Sequence, residues 1–112
     1  MPSKINPDYI RLKDVLKASA EVQHFLTTAS LDDRKTLMAV AYELAIIGEA
    51  CANLSKELRE QYSHVPWHAI VGMRHRIIHG YGKVVIERLQ EAIEQLPDLD
   101  KEITIMLENI KE

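Results

Sequence analysis

Apolar residues recur along this chain every three or four positions and nowhere alternate with period two for long enough to propose a sheet, which confines the fold to helices. Leu12, Val15, Leu16, Val22 and Leu26 trace one face of a first helix that ends at about Thr28. Asn6 can cap its exposed amides, and Pro7 sits at the first helical position without losing a needed donor. "SLDD", from Ser30, supplies the next N-cap, with acids in the first turn where the helix dipole favours them. Leu37, Val40, Ala41, Leu44, Ile47, Gly48 and Cys51 carry that helix to about Leu54. Ser55 caps a short piece through about Tyr62, and Pro66 opens a helix expected to end near His79, where the glycines of "HGYG" suit a left-handed terminus. A further helix, about Val84 to Leu96, is expected to stop before Pro97. The last, about Asp98 to Ile110, aligns Leu99, Ile103, Met106 and Ile110. The expectation is an all-α antiparallel bundle of four to five helices with short connections.

At 112 residues and 46% hydrophobic content the chain suits one domain, residues 1–112, with one core. No run of 18 apolar residues could span a bilayer and the amino terminus shows no targeting pattern, so the expected location is cytoplasmic, with no membrane partner. The single cysteine, Cys51, lies on an apolar helical stripe and reads as core in a reducing compartment.

A net charge of −3 argues against indiscriminate coating of nucleic acid, but the charges are segregated. From His68 to Ile86 stand Arg74, Arg76 and Lys83, three histidines and no acid, whereas from Glu87 to Glu112 eight acids face three bases. A local cationic patch on an acidic body suits selective engagement of an anion such as a phosphate; a solvated basic turn is the plainer alternative. Within "MRHRIIHGY", Arg74 and His79 lie five apart, about 140° around an ideal helix, so a straight helix would not aim them together. A turn at Gly80 would redirect His79 and Tyr81 toward Arg74 and leave His79 at the negative end of the helix dipole. Arginine, histidine and tyrosine are what metal-free RNA cleavage requires: an acid or base near the 2′-hydroxyl, a cation on developing charge and a positioning hydroxyl.

The order Arg74, four residues, His79, one residue, Tyr81 resembles the signature of the HEPN ribonuclease superfamily. "IIGEACANLSKELREQY" and "VPWHAIVGMRHRIIHGYG" resemble its HepT branch, most clearly over residues 37–96. That resemblance implies a HEPN-type bundle acting as a homodimer with both motifs at a shared cleft. It implies a metal-independent endoribonuclease, without cofactor, that cleaves transfer or messenger RNA as the toxin of a type VII-like toxin–antitoxin pair. It makes Arg74 and His79 the catalytic pair. It makes Tyr81 both a site residue and the position at which a minimal nucleotidyltransferase antitoxin, MntA-like, adds AMP. The chain departs from the pattern at His75, where relatives carry a small polar residue that orients the site, and in "GKVV", which lacks the aromatic and acidic residues common after the tyrosine.

The remaining candidates are supporting. His75, Arg76 and Lys83 are candidate contacts to RNA phosphates, with a solvated edge as the alternative for Arg76 and Lys83. Gly48 reads as close helix packing, Glu49 as a residue orienting a motif cation, and Trp67 as core or dimer contact rather than a stacking platform. Two other function classes compete. One is a metal protein built on the i, i+4 pairs His64/His68 and His75/His79, for which no completing ligand lies nearby in sequence. The other is a non-catalytic module that binds RNA or nucleotide, or scaffolds a nucleotidyltransferase.

Overall fold

The computed structural model describes residues 5–79 and 83–110. Six helical segments succeed one another: α1 (Pro7–Thr28), α2 (Arg34–Ala52), α3 (Lys56–Gln61), α4 (Trp67–Val71), α5 (Met73–Ile77) and α6 (Ile86–Asn109). The helix count exceeds the expected four to five because the chain between α2 and α6 is cut into short pieces. The long helices α1 and α2 pair along their length, α6 lies along α1, and α4 and α5 pack on α2, with α5 also touching α6.

The frame is held by fully buried aliphatic side chains. Leu12, Val15 and Val22 of α1 meet Val40, Leu44 and Ile47 of α2 and Leu89, Ile103 and Met106 of α6. Each buried Leu, Ile or Val contributes about 1.5–3 kcal/mol relative to exposure. Cys51 is in this core, where burial pushes its thiol up to about 12, so it stays a neutral packing group.

The polar groups that enter the core tie elements together. Asp8, in the first turn of α1, accepts hydrogen bonds from the Ser55 amide at 2.8 Å and the Ser55 hydroxyl at 2.5 Å, and that hydroxyl accepts from the Leu58 amide to cap α3. Across the frame, the Ser19 hydroxyl donates to Asp100 Oδ2 at 2.7 Å, joining α1 to α6.

Three boundaries differ from the sequence expectation. Asp33, not Ser30, caps α2: its carboxylate accepts from the Thr36 amide at 3.0 Å and hydroxyl at 2.7 Å, which hold it below the usual carboxylate range. Ser30 instead accepts from the Asp32 amide within the preceding turn. The two helices expected around Pro97 are one, since α6 runs through Pro97 without interruption. Proline in a helix interior loses a hydrogen bond and costs about 3 kcal/mol. Leu89, Ala92, Leu96, Leu99, Ile103 and Met106 nevertheless keep a three-and-four spacing across it, and their burial holds both halves in line.

The helix expected from Pro66 to His79 is the third difference. Its first piece, α4, places Trp67 in the core, with Nε1 donating to the carbonyls of Arg59 and Tyr62 at 3.1 Å each, as the core reading of that residue expected. The second piece, α5, stops at Ile77.

Candidate active site

Two buried pegs, Met73 and Ile77, hold α5 against the core, and between them Arg74, His75 and Arg76 point outward and are exposed. The seat beneath is tight. A Cβ on Gly48 of α2 would lie 3.0 Å from the Ile70 carbonyl oxygen, 3.5 Å from that of Val71 and 3.8 Å from Met73 Cβ. Only glycine lets α2 approach the α4–α5 junction so closely, as the packing reading of Gly48 expected. Glu49, next to it, is exposed, and among the described residues no cation stands within ion-pair distance of its carboxylate.

After Ile77 the backbone leaves the helix: Ile78 is extended and pairs with Val84 in an antiparallel bridge. The His79 amide donates to the Lys83 carbonyl at 2.7 Å, and the Val85 amide donates to the Ile77 carbonyl at 2.7 Å. His79 is therefore not on a helix end, as expected, but in a clamped extended segment two residues beyond it. The β-branched pair Ile78 and Val84 makes the exit, ahead of Gly80. The 140° restriction between Arg74 and His79 thereby disappears, and so does the i, i+4 helical pairing of His75 with His79. Tyr81 lies outside the described residues.

His79 and Lys83 line an open hollow of about 370 Å³ with Val84, Ile86 and Glu87. His79, Arg74 and His75 are all exposed, and among the described residues no side chain pairs with any of them. Arg76 is different. Its Nη2 lies 3.5 Å from Glu91 Oε2, and Arg88 Nη1 lies 3.3 Å from the same oxygen. Sequence reasoning missed Arg88 and Glu91, because the stretch after Glu87 reads as an acidic, solvated face. The available signal was their i, i+3 spacing at the start of α6, level with α5. His64, the other histidine of the metal reading, has its Nε2 2.8 Å from Glu102 Oε2. Among the described residues no three His, Cys, Asp or Glu side chains are grouped as metal ligands, and no helix is long and apolar enough to cross a membrane.

An exposed arginine and an exposed imidazole on a rigidly pinned support can grip a phosphodiester and move a proton beside it. Comparison with known proteins gives this arrangement its context. The family described as ribonuclease HepT-like matches residues 12–106. A protein of Caldanaerobacter subterraneus subsp. tengcongensis, an RNase by name, is 43% identical over 74 residues, 65% of this chain and 66% of its own. One from Methanocaldococcus jannaschii, also an RNase by name, is 30% identical over 89% of this chain and 87% of its own. A protein of Thermococcus cleftensis named "probable ribonuclease HepT" is 30% identical over 79% of this chain and 84% of its own. No solved structure matches the chain. With the family match spanning residues 12–106, most of its length, the chain belongs to the HepT-like ribonuclease family.

Proposed function

We propose that this HepT-like ribonuclease is a metal-independent endoribonuclease in which Arg74 and His79 do the chemistry. The observation that carries the reading is the contrast between these two side chains and Arg76. Arg76 already has a carboxylate partner, whereas Arg74, in α5, and His79, in the extended segment that follows it, stand exposed with none among the described residues. In the reaction, His79 accepts the proton of a ribose 2′-hydroxyl, the 2′-oxygen attacks the adjoining phosphorus to give a 2′,3′-cyclic phosphate, and the bond to the 5′-oxygen breaks as that oxygen takes a proton from water. Arg74 presents a planar fork to the phosphate oxygens as negative charge builds on them.

The working unit in this proposal is a homodimer. Tyr42, at 64% exposure, stands on the outer face of α2 in line with Met38, Ala45 and Ile46, an apolar stripe on the helix that also seats α5. A second copy covering that stripe would bring two motifs to one cleft. Sedimentation at micromolar concentration should show a dimer; a monomer that cleaves RNA contradicts the shared cleft.

The biological setting proposed is that of a toxin silenced by a minimal nucleotidyltransferase. Tyr81 follows His79 by two positions in the sequence, and AMP joined to it would add a negatively charged phosphate able to compete with substrate for Arg74 and His79. Intact-mass spectrometry after incubation with such a partner, ATP and magnesium should show additions of one AMP unit each, absent from Tyr81→Phe. The same additions on Tyr81→Phe would defeat this part of the proposal. Cleavage that EDTA abolishes and zinc restores would instead return the histidine-pair metal reading.

A further inference from the structure

A second groove lies away from His79. It runs between α4–α5 and α6, has a volume of about 450 Å³, and neither Arg74 nor His79 lines it. Its walls are aliphatic: Val65, Ile70 and Met73 on one side, Ala92, Leu96 and Leu99 of α6 on the other. Gln95, Asp98 and Lys101 form a polar lip along α6. One end is crossed by the contact between His64 and Glu102. Past Met73, Ala92 and Gln95 the groove adjoins a narrow crevice of about 10 Å³ bounded by Arg76, Arg88 and Glu91.

That cationic end is chemically incomplete. Two guanidiniums share one carboxylate at 3.5 and 3.3 Å, leaving one net positive charge. Each guanidinium has five donors, and a single carboxylate cannot occupy them all. The three side chains are 46%, 52% and 48% exposed, so their mutual attraction is weak and a phosphate can compete for it.

We infer that this groove is a nucleotide subsite for the RNA strand, the aliphatic walls holding one base and Arg76 with Arg88 holding its phosphate. The inference rests on the ribonuclease reading and extends it to residues away from the cleavage pair. A cavity of this size lies in the range that encloses small ligands. Aliphatic walls exclude water from the faces of a flat heterocycle, and the Gln95 amide offers a donor and an acceptor to its edge. A fatty-acyl chain would fill the same walls but would make no use of the polar lip of Gln95, Asp98 and Lys101, whereas the edge of a base can hydrogen-bond to it. Arg74 and Arg76 emerge from opposite sides of α5, separated by the width of a helix, about 10–12 Å. The base in the groove is therefore displaced along the strand from the nucleotide that is cut.

The test uses full-length His79→Ala protein, which holds RNA without cutting it, and short RNA oligonucleotides carrying each base at each position. Binding is read by fluorescence anisotropy across a salt series. The expected result is a preference of about tenfold for one base at one position displaced from the cut, lost when Gln95→Ala is added. Adding Arg88→Ala should lower the slope of log affinity against log salt by about one, uniformly across sequences. Absence of a preference at every position, a preference that survives Gln95→Ala, or an unchanged salt slope would each overturn the subsite. The two readings fail separately. If wild type cleaves RNA and His79→Ala does not, while Gln95 and Arg88 variants match their parent, the subsite alone falls. If wild type neither cuts nor binds RNA, the subsite falls with the ribonuclease mechanism.

Discussion

Along α6, six apolar side chains at three- and four-residue spacing are buried against the frame, whereas along α5 three consecutive residues, Arg74, His75 and Arg76, are exposed and only Met73 and Ile77 reach the core. The frame uses nearly every inward position for packing, and its polar groups, Asp8 with Ser55 and Ser19 with Asp100, are paired across long separations in sequence. The segment from α4 to Val84 instead relies on a few pegs, the glycine seat at Gly48 and a single β-bridge. The difference teaches where stability and chemistry reside. The frame can lose little without unfolding, and the short segment can expose Arg74, unpaired among the described residues, because the frame carries the folding free energy.

Substitutions that break this division should do so in graded order. Ile103→Ala, in the fully buried heart of α6, should cost about 2–5 kcal/mol in denaturant titrations while leaving cleavage per folded molecule intact. Gly48→Ala should cost about 1–3 kcal/mol, because the new methyl meets the Ile70 carbonyl at 3.0 Å and backbone cannot rotate away. Unlike Ile103→Ala, it should also lower cleavage per folded molecule, since relief of that contact moves the support of Arg74. Equal activity in the two variants would show that the seat does not position the site.

A smaller effect is expected within the frame at Asp100. Burial raises its carboxyl above the usual range, with the Ser19 hydroxyl pulling the other way, and its Oδ1 is buried without a partner. The folded state thus binds this proton more tightly than the unfolded state does. The group's contribution is fully present below its ordinary value of 3.8 and is lost as pH rises through the raised folded value. The stability difference between wild type and Asp100→Asn, measured by denaturation from acid to neutral pH, should shift against wild type as pH rises. A difference that is flat with pH would remove Asp100 from the frame's acid response.

The same comparison explains what the sequence made legible. The frame was readable because burial and periodicity coincide: α1 begins at Pro7 and ends at Thr28 as the spacing of Leu12, Val15 and Val22 implies. The phase of Leu89 to Met106 also passes through Pro97 unbroken, and weighing that phase above the local proline penalty would have given one helix. Asp33 displaced Ser30 as the cap because its side chain reaches both donors of Thr36, a choice that depends on where the preceding turn ends. In the short segment, residue types pointed to the candidate site but not to its geometry. The exit at Ile78 is set by pairing with Val84, a contact between residues that local propensity treats separately. The partnership of Arg76 with Glu91 and Arg88 depends on how α5 meets α6, which no local pattern records.

At the far end of the scale, Arg74→Ala and His79→Ala should leave stability within about 0.5 kcal/mol of wild type, since both side chains are exposed and, among the described residues, unpaired. The central claim is that these two side chains are the chemistry of the molecule and nothing of its fold. The most direct measurement is RNA cleavage by wild type, Arg74→Ala and His79→Ala at equal concentrations of folded protein, in EDTA, with helical content followed by circular dichroism. The account predicts cleavage by wild type and none by either variant, at unchanged helical content; cleavage by His79→Ala at the wild-type rate would contradict it.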